Sequence, residues 1–313
     1  MASLKATQQI GNGTANAWHY DAPTALMDLT RGSTTSTITL QTTTHPIRVN
    51  TEKTALLIID MQNFFLHPAL RRKSGSHEPT LGEIAAETLL ETGIPAARLH
   101  GIQVIWLNWG LTEQDLNTMP PAIMRTFGSF PMPSAESNVS LPSKPGMVRV
   151  KDLALYKGLG VNLGAVRIGN MENVQGGGIL MRESWNTELY GPLEEEYRKH
   201  CHTISYSESD DRKKDMLIYK NRMSGLSGKD SDLENFLCSQ GITTLLFAGV
   251  NTDQCVGSTL IDAYHKGFDC VLLRDGTATG SPFGAKEAWE WNVANCFGFI
   301  SSCEALKLSS AIL

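Results

Sequence analysis

The sequence predicts an α/β fold of three layers, αβα, in which a six-stranded, mainly parallel sheet carries helices on both faces. Two observations lead there. Short, almost wholly apolar runs recur along the chain, and most of them are followed by a segment with helical periodicity. Apolar runs without alternation mark strands covered on both faces, the situation of a parallel sheet. Alternating strands and helices then need crossover connections, which are right-handed and return each strand parallel to the last.

The organising run is Thr243–Ala248, followed by Gly249–Val256, which reads Gly-Val-Asn-Thr-Asp-Gln-Cys-Val. Val256–Lys266 comes next, with Val256, Leu260 and Ala263 at helical steps, His265 and Lys266 in the last turn, and Gly267 as the stop. Cys255 therefore sits where a buried strand hands over to a helix. Unpaired amides and the positive end of the helix dipole at such a point lower a thiol pKa, and the same amides can hold a developing oxyanion.

Along the chain from its start, Thr54–Ile59 is a second apolar run and ends abruptly in Asp60. A helical region runs from about Leu81 to His100, broken or restarted at Pro95, a residue that suits the first turn of a helix. Ile102–Leu107 is a third strand, after which Asn108, Trp109 and Gly110 leave on the same edge of the sheet as Asp60. Asp215–Lys220 is a short strand ending in lysine, followed by a helix over Asp230–Gln240 capped by Ser227 or Asp230. Asp269–Arg274 carries Asp275 at its tip, a helix lies around Ala285–Val293, and Phe297–Ser301 is the last strand.

Residues 1–50 form a polar N-terminal extension, in which nine of the twelve residues Ser33–Thr44 are Ser or Thr and only Thr37–Leu40 alternates as a strand does. The extension is expected to pack on the domain or on a partner subunit. Residues 51–313 form the main domain, with an irregular excursion at about 120–210 in which only Thr187–His202 has a helical pattern. So long a passage between sheet strands is a lid or wall over a pocket, or an oligomer arm.

A net charge of −5 and no Lys/Arg run longer than Arg71-Arg72-Lys73 exclude a basic field for nucleic acid, so a small-molecule partner is expected. The six cysteines contain no Cys-x-x-Cys pair, which argues against a disulfide scaffold or structural zinc and, with reduced thiols, for a cytoplasmic location. Met1–Tyr20 lacks the apolar core of a signal peptide, and no run approaches the ~18 apolar residues of a membrane span. Gly158-x-Gly160 has neither the strand before it nor the helix after it that a dinucleotide site needs. No cofactor is expected.

Three strand ends thus carry reactive side chains: Asp60, Lys220 and Cys255. In a parallel sheet these ends share one edge, where ligands bind. A cysteine nucleophile needs a base for its proton and a cation that favours the thiolate, and Asp60 and Lys220 supply both. Each has a plain alternative: a buried apolar cysteine, a turn carboxylate, a solvated lysine. Phe65, Asn108, Trp109 and Trp185, beyond strand ends or in the excursion, are candidates for the pocket wall, Asn108 as a polar group able to orient a carbonyl.

These residues carry a resemblance. Ala55–Phe65, Lys220–Leu226, Gly249–Val256 with Ser258-Thr259 and Asp262-Ala263, and Asp275–Thr279 are similar to the motifs of the isochorismatase-like cysteine hydrolase superfamily, over roughly Thr51–Ser302. The superfamily includes nicotinamidases, N-carbamoylsarcosine amidohydrolases, biuret hydrolases and ureidoacrylate hydrolases. The resemblance implies that Asp60, Lys220 and Cys255 are the catalytic triad. It also implies a cis peptide at Val250-Asn251, an oxyanion hole from the backbone N–H groups of Asn251, Gln254 or Cys255, and a homo-oligomer, dimer or tetramer. Nicotinamidases hold a metal with an Asp-x-His pair and a further His. No Asp-x-His occurs here, and His67 and His77 are wrongly spaced, so no metal is expected.

The expected activity is cysteine-dependent hydrolysis of an amide or ureide C–N bond in a small molecule through a thioester. The alternatives are vinyl ether hydrolysis with Asp60 as acid, as in isochorismatases that work without the cysteine, and a binding module without catalysis.

Overall fold

In the computed structural model, the residues described are 7–13, 16–71, 78–128, 155–169, 172–201, 214–309 and 311–312. The N-terminal extension contributes β1 (Thr7–Ile10), β2 (Trp18–Asp21), β3 (Leu26–Asp28), β4 (Thr37–Leu40) and β5 (Ile47–Asn50). The main domain adds β6 (Thr54–Ile59), β7 (Gln103–Trp109), β8 (Ala165–Ile168), β9 (Glu172–Gln175), β10 (Met216–Lys220), β11 (Thr244–Val250), β12 (Asp269–Ala278), β13 (Phe299–Ser301) and β14 (Ala311–Ile312).

The central sheet has the order β10-β7-β6-β11-β12-β13, and every pairing in it is parallel. Alternation along the strands explains how both faces become core. Ala55, Leu57 and Ile59 join Ile105, Leu107, Leu245 and Phe247 on one face, where Leu233 and Leu237 of the helix Asp232–Ser239, Leu260 and Ala263 of the helix Gly257–His265, and Val256 just before it cover them. Leu56 and Ile58 join Val104, Trp106, Leu246 and Ala248 on the other, under Ala85, Leu89 and Ala97 of the 81–99 segment and Leu306 of the helix Cys303–Leu308. A continuous apolar run is therefore required at each central strand, because there is no solvent face to tolerate a polar residue.

Several expected boundaries move. The 81–99 segment restarts with Pro95 in the first turn of helix Ile94–Leu99, as expected, but is reached from helix Leu81–Thr88 through a wider π turn, Leu89–Gly93. The helix after β10 is capped by Ser231, whose hydroxyl accepts from the Glu234 N–H at 3.2 Å, in place of Ser227 or Asp230. The helix expected at Thr187–His202 runs from Gly191 to Cys201, behind a short 3-10 turn at Trp185–Thr187, and His202 is outside the described residues. β7 is longer at its end than expected and takes in Asn108 and Trp109. The added length sets Trp109 beside Lys220, the last residue of β10.

The extension departs most from its sequence pattern. Beyond β4 it supplies four further strands, and β1–β5 with β14 make a second, mostly antiparallel sheet, ordered β1-β2-β3-β5-β4-β14. Leu29, Ile38, Leu40, Ile47 and Val49 are buried in the same apolar cluster as Leu56 and Ile58. Thr-rich strands are legible only where apolar residues alternate, and here the few that do are the ones that anchor the sheet.

Candidate active site

Asp60 is the first residue past β6 and turns into the left-handed region at φ 54°, where Asp is among the few side-chain residues tolerated. Its N–H still donates to Leu107 O at 2.9 Å, so the ladder fixes it before the chain turns away. Gly249 of the neighbouring β11 makes this turn fit. Its φ is 107°, and a Cβ there would lie 2.1 Å from Ile59 O, so no other residue is accommodated.

Lys220 closes β10 and is paired in register with Trp109, the last residue of β7. Its Nζ lies 3.0 Å from Asp60 Oδ2, with both side chains almost wholly removed from solvent, and donates to Arg222 O at 3.2 Å. Cys255 sits in the turn Thr252–Val256 that precedes the helix Gly257–His265 and is buried. Its thiol lies within the electrostatic reach of both Asp60 and Lys220. Its sulfur is 3.1 Å from Met223 Sδ, and Thr259 Oγ1 donates to Cys255 O at 2.8 Å. The peptide bond Val250-Asn251 is cis.

The three groups drawn from distant strands thus meet at one edge of the sheet. Burial raises the Asp60 pKa, against the opposing pull of the Lys220 charge and of hydrogen bonds from Cys255, Lys220 and the Trp109 backbone. Burial likewise pushes the Cys255 thiol up to about 12, with the Asp60 charge adding to it and Lys220 working against it. The expected lowering of the thiol by the helix start is outweighed by desolvation. The pair at rest is a neutral thiol beside a buried carboxylate whose proton affinity is raised.

Trp109 is the residue around which the trio is built. Its backbone N–H is shared between Asp60 Oδ1 at 3.1 Å and Gln62 Oε1 at 3.0 Å. Lys220 Nζ lies 4.0 Å from its ring centroid, within cation–π range. Gln62, fully buried and not singled out by sequence reasoning, locks this arrangement by donating from Nε2 to Trp109 O at 2.8 Å and Thr187 O at 2.7 Å. It stands two residues after Asp60 inside the Ala55–Phe65 motif, which was the available signal. Met223 gave no signal beyond its place in the Lys220–Leu226 motif.

Of the four wall candidates, one lines the cavity beside the cis peptide. This cavity, about 370 Å³, is bounded by Phe65, Arg71, Leu155, Tyr156, Asn251 and Thr279, among others. Asn108 and Trp109 lie within β7, where successive side chains face opposite ways. Asn108 is 1% exposed and Trp109 fully buried, and neither is among the residues lining this cavity. Trp185 is half-buried and packs against His67, ring centroids 4.9 Å apart, away from the cavity. Among the expected oxyanion donors, the Gln254 N–H is engaged by Asn251 O at 3.0 Å.

His67 stands between the rings of Trp185 and Tyr190, and burial lowers its pKa. His77 is outside the described residues. Among the described residues no three His, Cys, Asp or Glu side chains are grouped as a metal site, and no helix is long and apolar enough to cross a membrane.

Residues 205–305, which hold Lys220 and Cys255 and exclude Asp60, match the isochorismatase domain family. The fold is similar to that of a cysteine hydrolase from Pseudomonas syringae pv. phaseolicola 1448A, with TM-score 0.51 and 17% identity over 82% of this chain and 92% of that one. It is also similar to nicotinamidase PncA from Bacillus subtilis, with TM-score 0.50 and 22% identity over 80% of this chain and 99% of that one. Motifs, matched segment and fold together give the chain the likeness of an isochorismatase-like hydrolase.

Proposed function

We propose that the protein hydrolyses a C–N bond, amide or ureide, of a small molecule through a thioester on Cys255. The observation that carries this reading is the meeting of one carboxylate, one ammonium and one thiol, all buried, with Asp60 and Lys220 3.0 Å apart and the thiol in the field of both. The matched isochorismatase family and the amidase named among the similar folds support the same chemistry.

The raised proton affinity of Asp60 makes it a stronger base than an exposed carboxylate. In the proposed cycle the thiol proton passes to Asp60 as the sulfur attacks the substrate carbonyl. Lys220 balances the charge, and the carbonyl oxygen takes hydrogen bonds from the backbone N–H groups of Asn251 and Cys255. Asp60 then gives its proton to the departing nitrogen, and the same carboxylate activates water to release the acid from the sulfur. The neutral resting thiol favours proton transfer during attack over a standing thiolate. The cavity beside Asn251 is the binding space, and a soluble homo-oligomer acting in the cytoplasm completes the reading.

A panel of primary amides, ureides and isochorismate, assayed for ammonia or pyruvate release, identifies the reaction. Cys255→Ala is expected to abolish ammonia release while leaving the melting temperature near that of the wild type. Amidase activity retained in that variant removes the covalent scheme. One observation favours a second reading: a buried carboxyl with raised pKa suits an acid, as vinyl ether hydrolysis requires. Under that reading Cys255→Ala keeps pyruvate release from isochorismate and Asp60→Ala loses it.

A further inference from the structure

The proposed chemistry leaves one buried polar group without a task. Trp109 is fully buried, and its indole Nε1 has no hydrogen-bond acceptor in the resting site. A buried donor left unsatisfied costs free energy, about 1–3 kcal/mol by general experience, and such an exception asks for a reason. Packing alone supplies none, since a phenylalanine would fill most of the same space without the orphan. The rest of the residue is committed to the triad: its backbone N–H donates to Asp60 Oδ1 at 3.1 Å, and its ring lies 4.0 Å from Lys220 Nζ. Its edge contact with Phe127, ring centroids 5.2 Å apart, holds the indole plane from the far side.

We infer that Trp109 is a donor to the reacting sulfur: its indole N–H closes a hydrogen bond on Cys255 Sγ once the thiol proton has moved to Asp60, and so stabilises the thiolate during attack. The inference rests on the cysteine reading above. In the resting site the side chain already acts on the sulfur in the direction that favours its ionised form. The step balances simply. The proton leaves Sγ for the Asp60 carboxylate, the electron pair stays on sulfur, Lys220 keeps its charge, and the net charge of the trio does not change. Ionisation is thus an internal transfer, and what sets the thiolate fraction is how well the surroundings hold negative charge on sulfur. A neutral thiol offers a weak acceptor, while a thiolate accepts a short, charge-assisted bond. The indole N–H is unsatisfied in the state that waits and satisfied in the state that reacts.

The test is alkylation, which reads the sulfur directly and needs no substrate. Trp109→Phe keeps the backbone N–H to Asp60 and an aromatic face toward Lys220, and removes the indole N–H. Phe127→Leu, which disturbs packing on the same ring and removes no donor, is the control. Iodoacetamide modification of Cys255 is followed by peptide mass analysis at neutral pH, with the exposed Cys238 and Cys296 as internal references.

In Trp109→Phe the Cys255 rate is expected to fall about tenfold, the effect of losing one hydrogen bond to a charged group, with the reference cysteines unchanged and Phe127→Leu within about twofold of wild type. A wild-type rate in Trp109→Phe overturns the inference and leaves the cysteine reading standing, and so does an equal fall in Phe127→Leu. Ammonia release retained in Cys255→Ala, the test given above, removes the cysteine reading and this inference with it. Should Trp109→Phe fail to fold, comparison of wild type with Cys255→Ala decides. One of the six indole N–H signals in a nitrogen-15 spectrum is expected to shift, and six unchanged signals overturn the inference.

Discussion

The two ends of the central sheet each hold a buried ion pair, and they are built to opposite rules. At the amino ends of β11 and β12, Asp269 receives Arg31 Nη1 at 2.6 Å, Arg31 Nη2 at 2.9 Å, Trp18 Nε1 at 2.9 Å and Thr244 Oγ1 at 3.0 Å. Every lone-pair direction of that carboxylate is engaged, and three of the four donor bonds come from the N-terminal sheet. At the carboxyl ends, Asp60 Oδ1 accepts one backbone N–H, and Oδ2, though 3.0 Å from Lys220 Nζ, takes no well-directed hydrogen bond. A carboxylate with every lone pair engaged serves as a clamp. One left with an open lone pair beside a thiol is placed to receive a proton, and burial raises its pKa.

The sharpest way to break this contrast is to neutralise each carboxylate in turn. Asp60→Asn keeps the left-handed turn, since Asn tolerates it, and removes the base. Turnover per folded molecule is expected to fall by about 10²–10⁴, measured as ammonia release. Asp269→Asn is expected to do the reverse. It leaves Arg31, mostly buried, without its bidentate partner and costs about 3 kcal/mol in denaturant unfolding, with activity per folded molecule near wild type. Equal losses of activity in the two variants would mean that the ends of the sheet do not divide clamp from catalyst.

The two ends were not equally legible in the sequence. Asp60, Lys220 and Cys255 each follow or close an apolar run, and parallel strands bring such ends to one edge, so their convergence could be argued from position alone. The Arg31–Asp269 clamp could not, because Arg31 lies in a polar, threonine-rich stretch whose strands lack a strong alternating pattern. The site's supporting residues fell between these cases. Trp109 was read as pocket wall because the apolar run stops at Leu107, whereas the ladder continues through Asn108 to Trp109 by pairing with Tyr219 and Lys220. A polar residue at a strand's end reads as its stop, and only the neighbouring strand shows that pairing goes on. The thiol pKa was misjudged for a related reason: helix-start amides are visible in sequence, whereas the depth of burial that outweighs them is a property of the packed sheet.

The smallest effect tests the electrostatic half of the contrast through stability. Burial raises the folded-state pKa of Asp60 above its ordinary 3.8, so over the window between 3.8 and the folded value the folded chain holds a proton that the unfolded chain has released. Where the folded state binds more protons, stability falls as pH rises, and the fall ends once Asp60 ionises in the folded state as well. Asp60→Asn lacks this titration. Its loss of a counter-charge for Lys220 is a constant offset while that lysine stays protonated. The melting temperature of Asp60→Asn relative to wild type is therefore expected to climb as pH is raised from below 3.8 and then to level off. A difference that stays flat, or one that declines with pH, would mean that Asp60 gains more from Lys220 than it loses to burial, and that the carboxylate at the site is as settled as the one in the clamp.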